Sequence, residues 1–307
     1  MNYKIIIICT LIVSLWSSAF IGSHIVMESM DSSEFAFYRL SISSIFLYIV
    51  SKKNKQTAIA GKDMMLIALS GLLGSTFYCL FFNKAQVLVT STESCLIINT
   101  MPLFAALMSW LIYGEKITQT ASLGLSISMT GIVIISLSGN NSNWSMGIGY
   151  VYLIVASLSL ALSTVIQKKL LRKYSAIQVL SLGLCFAAIS LLPFNIDIDS
   201  SLMKLNHETH LWVFYLALFP SGLAYLLWGH LLQKVSTQRA TSIFYFIPVV
   251  TGVIGYFHMD EHLSTLKLSG GVLAICGVMI SQSQQWAIWK RASFLKNYHL
   301  AKLKSLS

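Results

Sequence analysis

The sequence predicts an all-α integral membrane protein, with ten transmembrane helices arranged as two inverted five-helix repeats. Hydrophobic residues make up 55% of the 307-residue chain and charged residues only 10%, whereas a soluble domain is about 25% charged because water must solvate its surface. The hydrophobic residues form ten runs of about the 20 residues that a helix needs to cross a bilayer. The same motifs also recur at a fixed offset in the two halves of the chain.

The ten runs are continuous, so we expect helices rather than the short alternating strands of a membrane β-barrel. The first run is longer than the apolar core of a secretory signal and lacks a small-residue cleavage site, so we expect it to be retained. In chain order, the predicted helices span residues 5–27, 34–50, 64–88, 92–113, 118–138, 146–167, 176–194, 210–233, 238–258 and 266–284.

The positions of the basic residues predict that both termini are cytoplasmic. All but four of the 21 Lys and Arg residues lie in segments that this orientation places inside. The exceptions are Lys204 and Lys267 in outer loops, and Arg39 and Lys84 within helices. Such a bias is typical of a protein of the bacterial inner or plasma membrane. It accounts for the net charge of +10 without a nucleic-acid partner.

A shift of 146 residues brings one half of the chain into register with the other. Because five is an odd number, the second half enters the membrane upside down, as in many secondary transporters, whose substrate site lies near the midplane where the halves meet. The predicted units are residues 1–140, residues 141–285 and a tail, residues 286–307. The matched pairs are Pro102 with Pro248, Glu115 with Glu261, Gly124 with Gly270, and Gly131 with Gly277.

Each of the matched glutamates directly precedes a predicted helix. A carboxylate there is stabilised by free backbone N–H groups and by the helix dipole, so a structural role is the favoured interpretation and a direct role in transport the alternative. The matched glycines are seven residues apart on one face of helices five and ten, which favours close helix packing. The tail has five basic residues and no acidic one. We expect it to lie on the anionic inner leaflet of the lipid bilayer, with a disordered tail as the alternative.

Several short motifs, among them Trp16-Ser17-Ser18-Ala19-Phe20, Phe37-Tyr38-Arg39 and Leu223-Ala224-Tyr225, together resemble the EamA-type ten-helix permeases of the drug/metabolite transporter superfamily. The resemblance implies a carrier with an inverted repeat, often an exporter of amino acids or other metabolites, whose central cavity is lined mainly by helices one, three, four, six, eight and nine. The family often has a proline near the start of helix two, where this chain has residues 31–34, DSSE. The motifs are Trp16-Ser17-Ser18-Ala19-Phe20, Phe37-Tyr38-Arg39, Pro102 with Gly114-Glu115, Leu223-Ala224-Tyr225, and Pro248 with Glu261, Gly270 and Gly277.

Polar and aromatic side chains within the predicted helices are the candidates for contact with a small-molecule substrate. Serine and threonine in membrane helices also bond the preceding turn or a neighbouring helix, and aromatic residues also serve as packing or interface anchors. The candidates are Trp16, Ser17, Ser18, Tyr78, Asn83, Asn99, Ser163, Thr164, Gln167, Tyr225, Trp228 and Tyr245.

Three ionisable residues, Arg39, Lys84 and Glu93, are predicted to lie at one depth near the outer ends of helices two to four. A charge inside a membrane is costly and is retained for a reason. The cluster is interpreted either as an ion-paired brace between the helices or as an outer gate and anchor for a carboxylate or phosphate. Two cations against one acid favour an anionic or zwitterionic solute. The two cations would keep Glu93 ionised, which favours facilitated diffusion or exchange over obligatory proton coupling, with His230 as the exception.

The chain lacks the motifs of other chemistries. It has no phosphate-binding loop, no zinc-protease motif and no serine-hydrolase elbow, and its five cysteines form no C-x-x-C pair. We therefore expect no enzyme activity, no cofactor and no metal; residues 258–262, HMDEH, are expected to be a solvated connector. The predicted function is a secondary transporter, an exporter or exchanger of a small metabolite working by alternating access. The alternative is a non-transporting receptor or scaffold; the oligomeric state stays open.

Overall fold

The computed structural model of the protein describes residues 3–52, 57–114, 119–137, 144–195, 206–234, 244, 246–259 and 264–280. Within these ranges, seven helices are long and apolar enough to cross a membrane, and three shorter apolar helices complete a set of ten. The helices are α1 (Tyr3–Met27), α2 (Ser32–Ser51), α3 (Gly61–Gln86), α4 (Ser91–Tyr113), α5 (Gln119–Leu137), α6 (Trp144–Leu170), α7 (Ala176–Leu191), α8 (207–234), α9 (Ile247–Met259) and α10 (Thr265–Ile280).

The helix bounds follow the internal repeat. α3 begins at residue 61 and α8 at residue 207, which is the offset of the sequence motifs. The second part of α4, Met101–Tyr113, and α9, Ile247–Met259, are related by the same offset at both ends. The predicted fold class, a ten-helix membrane protein built from two inverted repeats, is therefore confirmed.

Both α3 and α8 contain a π-helical segment at the equivalent position. These segments are Leu72–Phe77 in α3 and Phe219–Leu223 in α8. A π segment holds one extra residue in the turn and leaves carbonyls of the preceding turn without their usual partner. In α8, Pro220 also removes a backbone N–H. The sequence motifs gave no sign of the segment in α3, which contains no proline.

Serine hydroxyls from neighbouring helices bond the carbonyls around these segments. Ser163 Oγ of α6 donates to the Ser70 carbonyl and Ser159 Oγ to the Leu73 carbonyl, each at 2.7 Å. In the second half, Ser43 Oγ of α2 donates to the Ala217 carbonyl at 2.8 Å. The irregular turns are thereby stabilised inside the protein rather than by water.

The helix α4 is interrupted at Asn99 and Thr100, whose ψ angles are 0° and −5°. Pro102 near the start of the second part has no N–H to donate to the Ile98 carbonyl, and Ser157 Oγ lies 3.5 Å from that oxygen. Pro248 stands at the matching place at the start of α9. The two matched prolines therefore begin a helix in each repeat.

Small residues permit close helix approach at two crossings. A Cβ on Gly71 would collide with the backbone of Gly183, so α3 and α7 touch through their main chains. A Cβ on Gly131 would lie 2.5 Å from the Gly270 carbonyl oxygen, and one on Gly277 would lie 2.6 Å from the Gly124 carbonyl oxygen. The glycine spacing of helices five and ten predicted close helix packing, and the structure shows that these two helices pack against each other.

The start of α2 needs no proline. Asp31 caps the helix, and its Oδ1 accepts hydrogen bonds from the Ser33 N–H at 2.8 Å and the Ser33 hydroxyl at 2.7 Å. The Ser33 bonds lower the pKa of Asp31, so the cap carries its charge at neutral pH.

Some sequence-based predictions concern residues outside the described ranges and stay predictions. They are those for Glu115, Glu261, the unit boundaries at 140/141 and 285/286, and the tail.

Candidate functional site

Four aromatic side chains from the two repeats meet halfway along α1. Trp16 stacks on Phe244 with ring centroids 5.6 Å apart and an interplanar angle of 12°. It also contacts Trp228 at 5.6 Å and meets the edge of Tyr225 at 6.0 Å. Trp228 and Phe244 contact each other at 5.4 Å. All four side chains are only partly buried, so the aromatic cluster (Trp16, Tyr225, Trp228 and Phe244) keeps surface for a ligand.

The cluster joins α1 of the first repeat to α8 and to the residue Phe244 before α9 in the second repeat. Ser17, next to Trp16, is fully buried and donates its hydroxyl hydrogen to the Ile247 carbonyl of α9 at 3.2 Å. Ser18 bonds the Tyr215 hydroxyl of α8 at 2.7 Å. These bonds position Trp16 from both sides, while the tryptophan itself stays accessible.

Arg39 of α2 lies close to this cluster. Its side chain is 6% exposed, and its Nε donates to Ser221 Oγ of the α8 π segment at 2.6 Å. Its Nη1 lies 3.4 Å from Ser23 Oγ of α1. Ser221 lies four residues before Tyr225 on α8, and Tyr225 belongs to the aromatic cluster.

Glu93 does not join Arg39 and Lys84 in the described structure, so the predicted three-residue cluster is wrong. Glu93 is fully buried at the start of α4, where its Oε1 pairs with Lys267 Nζ at 2.6 Å and accepts from the Tyr150 hydroxyl at 3.0 Å. Its Oε2 accepts from the Thr90 backbone N–H at 3.0 Å. This capping box turns the carboxylate back over its own helix start, towards α6 and α10. Lys84 is exposed.

A second polar network lies at the opposite end of the bundle. Asp63, at the start of α3, pairs with Lys173 at 2.9 Å and accepts from the Tyr174 hydroxyl at 2.9 Å. The hydrogen bond to Asp63 raises the pKa of Lys173, so both partners are charged at neutral pH. This inner network and the Glu93–Lys267 outer network, named for the predicted orientation, each connect the two repeats.

Two predicted amides are buried with an unused oxygen. Asn99 is 7% exposed at the break in α4, and its Nδ2 donates to the Cys95 carbonyl at 2.8 Å. Asn83 is fully buried and donates from Nδ2 to the Ser32 carbonyl at 3.2 Å. The Oδ1 atom of each has no hydrogen-bond partner. A buried acceptor without a donor is uncommon in proteins, so both stay candidates for contact with a substrate.

The remaining predicted candidates fall on the expected helices but differ in their contacts. Ser163 is almost fully buried against the α3 π segment and accepts from Gln167 Nε2 at 3.2 Å. Thr164 bonds the Leu160 carbonyl of its own helix at 2.8 Å. Tyr78 stacks on Phe82 at 5.4 Å. Tyr245 lies outside the described residues.

Comparison with known proteins identifies the family. The sequence pattern of the EamA-like transporter family matches the chain twice, at residues 4–137 and 147–282. The chain belongs to the EamA-like transporter family. Each of the two matched segments covers one five-helix repeat.

Individual EamA-like relatives align along most of the chain. An uncharacterised transporter, YdfC, of Bacillus subtilis strain 168 is 28% identical over 275 residues, covering 90% of each chain. A probable terminal-alkyne amino-acid exporter of Streptantibioticus cattleyicolor is 24% identical over 88% of this chain and 90% of the relative. A probable amino-acid metabolite efflux pump of Salmonella typhimurium is 24% identical over 61% of this chain and 65% of the relative.

One solved crystal structure is similar to this chain in its fold alone. It aligns with a TM-score of 0.65 over 91% of this chain and 95% of that chain, at 15% identity. Together, the family match and the transporter relatives show that this chain is an integral membrane transporter and not an enzyme.

Five residues of this EamA-like site had no place in the sequence-based prediction. Ser23 and Ser221 bond Arg39, Tyr150 and Lys267 bond Glu93, and Phe244 stacks on Trp16. Lys267 was marked as one of two basic residues in outer loops, which was a usable signal. Ser23, Ser221 and Phe244 gave no such signal in the sequence, because their partners lie on other helices.

Proposed function

We propose that this chain is a secondary transporter that exports or exchanges an amino acid or a related zwitterionic or anionic metabolite by alternating access. The observation that carries the proposal is the aromatic cluster, where Trp16 of the first repeat meets Trp228 and Phe244 of the second. A partly open site between inverted repeats is where secondary transporters bind their solutes. Two relatives named for amino-acid export support the solute class.

The two end networks suit a transporter that opens one end at a time. The Glu93–Lys267 pair joins α4 of the first repeat to α10 of the second, and the Asp63–Lys173 pair joins α3 to the segment after α6. Opening either end requires its pair to separate. The proposed location is a bacterial inner membrane with both termini in the cytoplasm.

Exchange or facilitated diffusion is proposed rather than obligatory proton coupling. The sequence alone suggested that Arg39 and Lys84 are the cations beside Glu93. In the structure the cation beside Glu93 is Lys267, whose Nζ lies 2.6 Å from the carboxylate. The Glu93 carboxylate is thus held in an ion pair between the two repeats. His230, the other titratable candidate, is exposed near the end of α8. The non-transporting alternative has no support among the relatives, which are named as transporters.

The proposal is tested by counterflow in proteoliposomes that contain only this protein. Liposomes are loaded with one unlabelled amino acid at a time, for each of the twenty. A trace of the same amino acid, labelled with tritium, is added outside, and its entry is measured. We expect saturable counterflow for a subset, and an imposed pH gradient alone should not drive accumulation. A loss of at least tenfold is expected for Trp228→Ala, with Phe257→Ala as the matched control, since Phe257 is 75% exposed and outside the cluster. Absence of counterflow for every amino acid contradicts the proposed solute class.

A further inference from the structure

Arg39 is a buried cation whose described partners are uncharged. It is 6% exposed and lies seven residues into α2, about 10 Å from the helix start at a rise of 1.5 Å per residue. Among the described residues, no carboxylate lies within ion-pair distance of its guanidinium. A charge at such a depth is expected to pair with an opposite charge or to serve function.

Most of the hydrogen-bonding capacity of Arg39 is unused. A guanidinium has five N–H donors in a planar fork. The two contacts with Ser221 Oγ and Ser23 Oγ engage one Nε and one Nη1 hydrogen. The ring of Phe35 lies below the guanidinium, 5.8 Å from its carbon to the ring centroid, and offers no acceptor. The two serines therefore hold the group in place and leave donors for an acceptor that arrives from outside the protein.

The position of Arg39 links it to both repeats and to the aromatic cluster. Ser23 belongs to α1, and Ser221 to the π segment of α8 in the second repeat. Ser221, which bonds Arg39, lies four residues before Tyr225 on α8, about one helical turn, and Tyr225 meets Trp16 at 6.0 Å. A solute that contacts Arg39 at one end can therefore reach Tyr225 and Trp16 with the other.

We propose that Arg39 binds the carboxylate of the transported solute, while the apolar part of the solute packs against Trp16 and Tyr225. The inference rests on the proposed function and adds the group that selects for the carboxylate. A planar guanidinium fork matches the two oxygens of a carboxylate in a bidentate pair. The serines are positioning residues that orient the fork. Separation of the repeats changes the distance of Ser221 from the guanidinium, because Ser221 belongs to the second repeat.

The wild-type protein provides the first test. The amino acid with the fastest counterflow is used as the tritiated probe, and its unlabelled form is compared as a competitor with its carboxamide, which keeps the ammonium group and side chain but has no negative charge. We expect the carboxamide to need at least a tenfold higher concentration for half-inhibition. Equal inhibition by acid and amide overturns the proposal. Inhibition by inorganic phosphate at concentrations where acetate has no effect also overturns it.

Substitutions at Arg39 provide the second test. In Arg39→Gln, the acid and the amide should inhibit within twofold of each other, whereas Arg39→Lys should keep part of the preference because it keeps the charge. Lys84→Gln is the matched control: it removes an exposed cation and should leave the preference unchanged. A purely structural Arg39 would lower the amount of folded protein, measured by size-exclusion chromatography, but retain the tenfold preference in what remains, and that result refutes the inference.

The two proposals fail in different ways. If Arg39→Gln yields no folded protein, Ser221→Ala is measured instead: we expect a smaller preference for the acid because the guanidinium loses its Nε partner, and a preference that stays at the wild-type level counts against Arg39. Counterflow without any acid preference removes the role of Arg39 and leaves the transporter intact. No counterflow of any amino acid removes the proposed solute class, and the inference with it.

Discussion

At the scale of single residues, Glu93 shows what a sequence reveals about a buried charge and what it conceals. Its place at the start of a helix, three residues after Thr90, is a readable capping box, and the structure contains that box. The cation that pairs with Glu93 could not be predicted from the sequence, because Lys267 belongs to the other repeat. The nearest embedded cations in the sequence, Arg39 and Lys84, were the natural guess. Proximity in the chain is no guide to pairing between helices.

Breaking the Glu93–Lys267 pair should destabilise the protein more than removing it entirely. Glu93→Gln leaves the ammonium of Lys267, 14% exposed, without its partner, and we expect a loss of roughly 3 kcal/mol, the usual range for a broken buried pair. The double variant Glu93→Gln, Lys267→Met should recover part of that loss. Thermal unfolding in detergent, arranged as a double-mutant cycle, measures the coupling. Additive effects of the two substitutions would contradict the pairing.

At the scale of elements, hydrophobic runs predicted the helices well. Apolar length alone located all ten, because only continuous helices satisfy the backbone in lipid. The π segments in α3 and α8 and the break in α4 were not predicted, since they depend on which carbonyls a neighbouring helix can bond. Of the candidate site residues, Trp16, Tyr225 and Trp228 do come together, as their polar or aromatic character within the spans suggested. The bond from Arg39 to Ser221 depends on the π segment of α8, which no local sequence motif predicted.

The α3–α7 crossing offers a direct test of helix packing. Gly71→Ala places a methyl group against the backbone of Gly183, where no side chain can move aside, so we expect a loss of about 1–3 kcal/mol from overpacking. Gly61→Ala is the matched control, because its Cβ would meet nothing within 4 Å. That substitution should be neutral or slightly stabilising, since alanine favours a helix over glycine. Equal melting temperatures for the two variants would show that the helices are not in main-chain contact.

At the scale of the whole molecule, the two inverted repeats are held together at both ends and share a partly open aromatic cluster between them. The outer network joins α4 to α6 and α10, and the inner network joins α3 to the segment after α6. In the proposed alternating access, one of these two pairs separates while the other stays closed. The internal repeat can be recognised in the sequence, but the two ion pairs are not related to each other by the 146-residue offset.

The orientation predicted from the basic residues can be checked independently of transport. With the native cysteines replaced, a cysteine at Asn54 should be protected from a membrane-impermeant thiol reagent in intact cells, and one at Asn141 should react. After permeabilisation, both should react. Labelling of Asn54→Cys in intact cells would reverse the assignment of inner and outer networks.

Cross-linking one end of the two repeats tests the central claim, alternating access, most directly. Ser91 Oγ of α4 and Met259 Sδ of α9 are 3.8 Å apart at the outer end, so cysteines at both positions, in a protein without its native cysteines, should be joined by a short bifunctional thiosulfonate reagent, which forms a reducible disulfide with each cysteine. The measurement is counterflow in proteoliposomes before cross-linking, after it, and after reduction. The account predicts that cross-linking abolishes counterflow and that reduction restores it, while either single-cysteine variant is unaffected. Counterflow that continues at the wild-type rate through the cross-linked protein would contradict it.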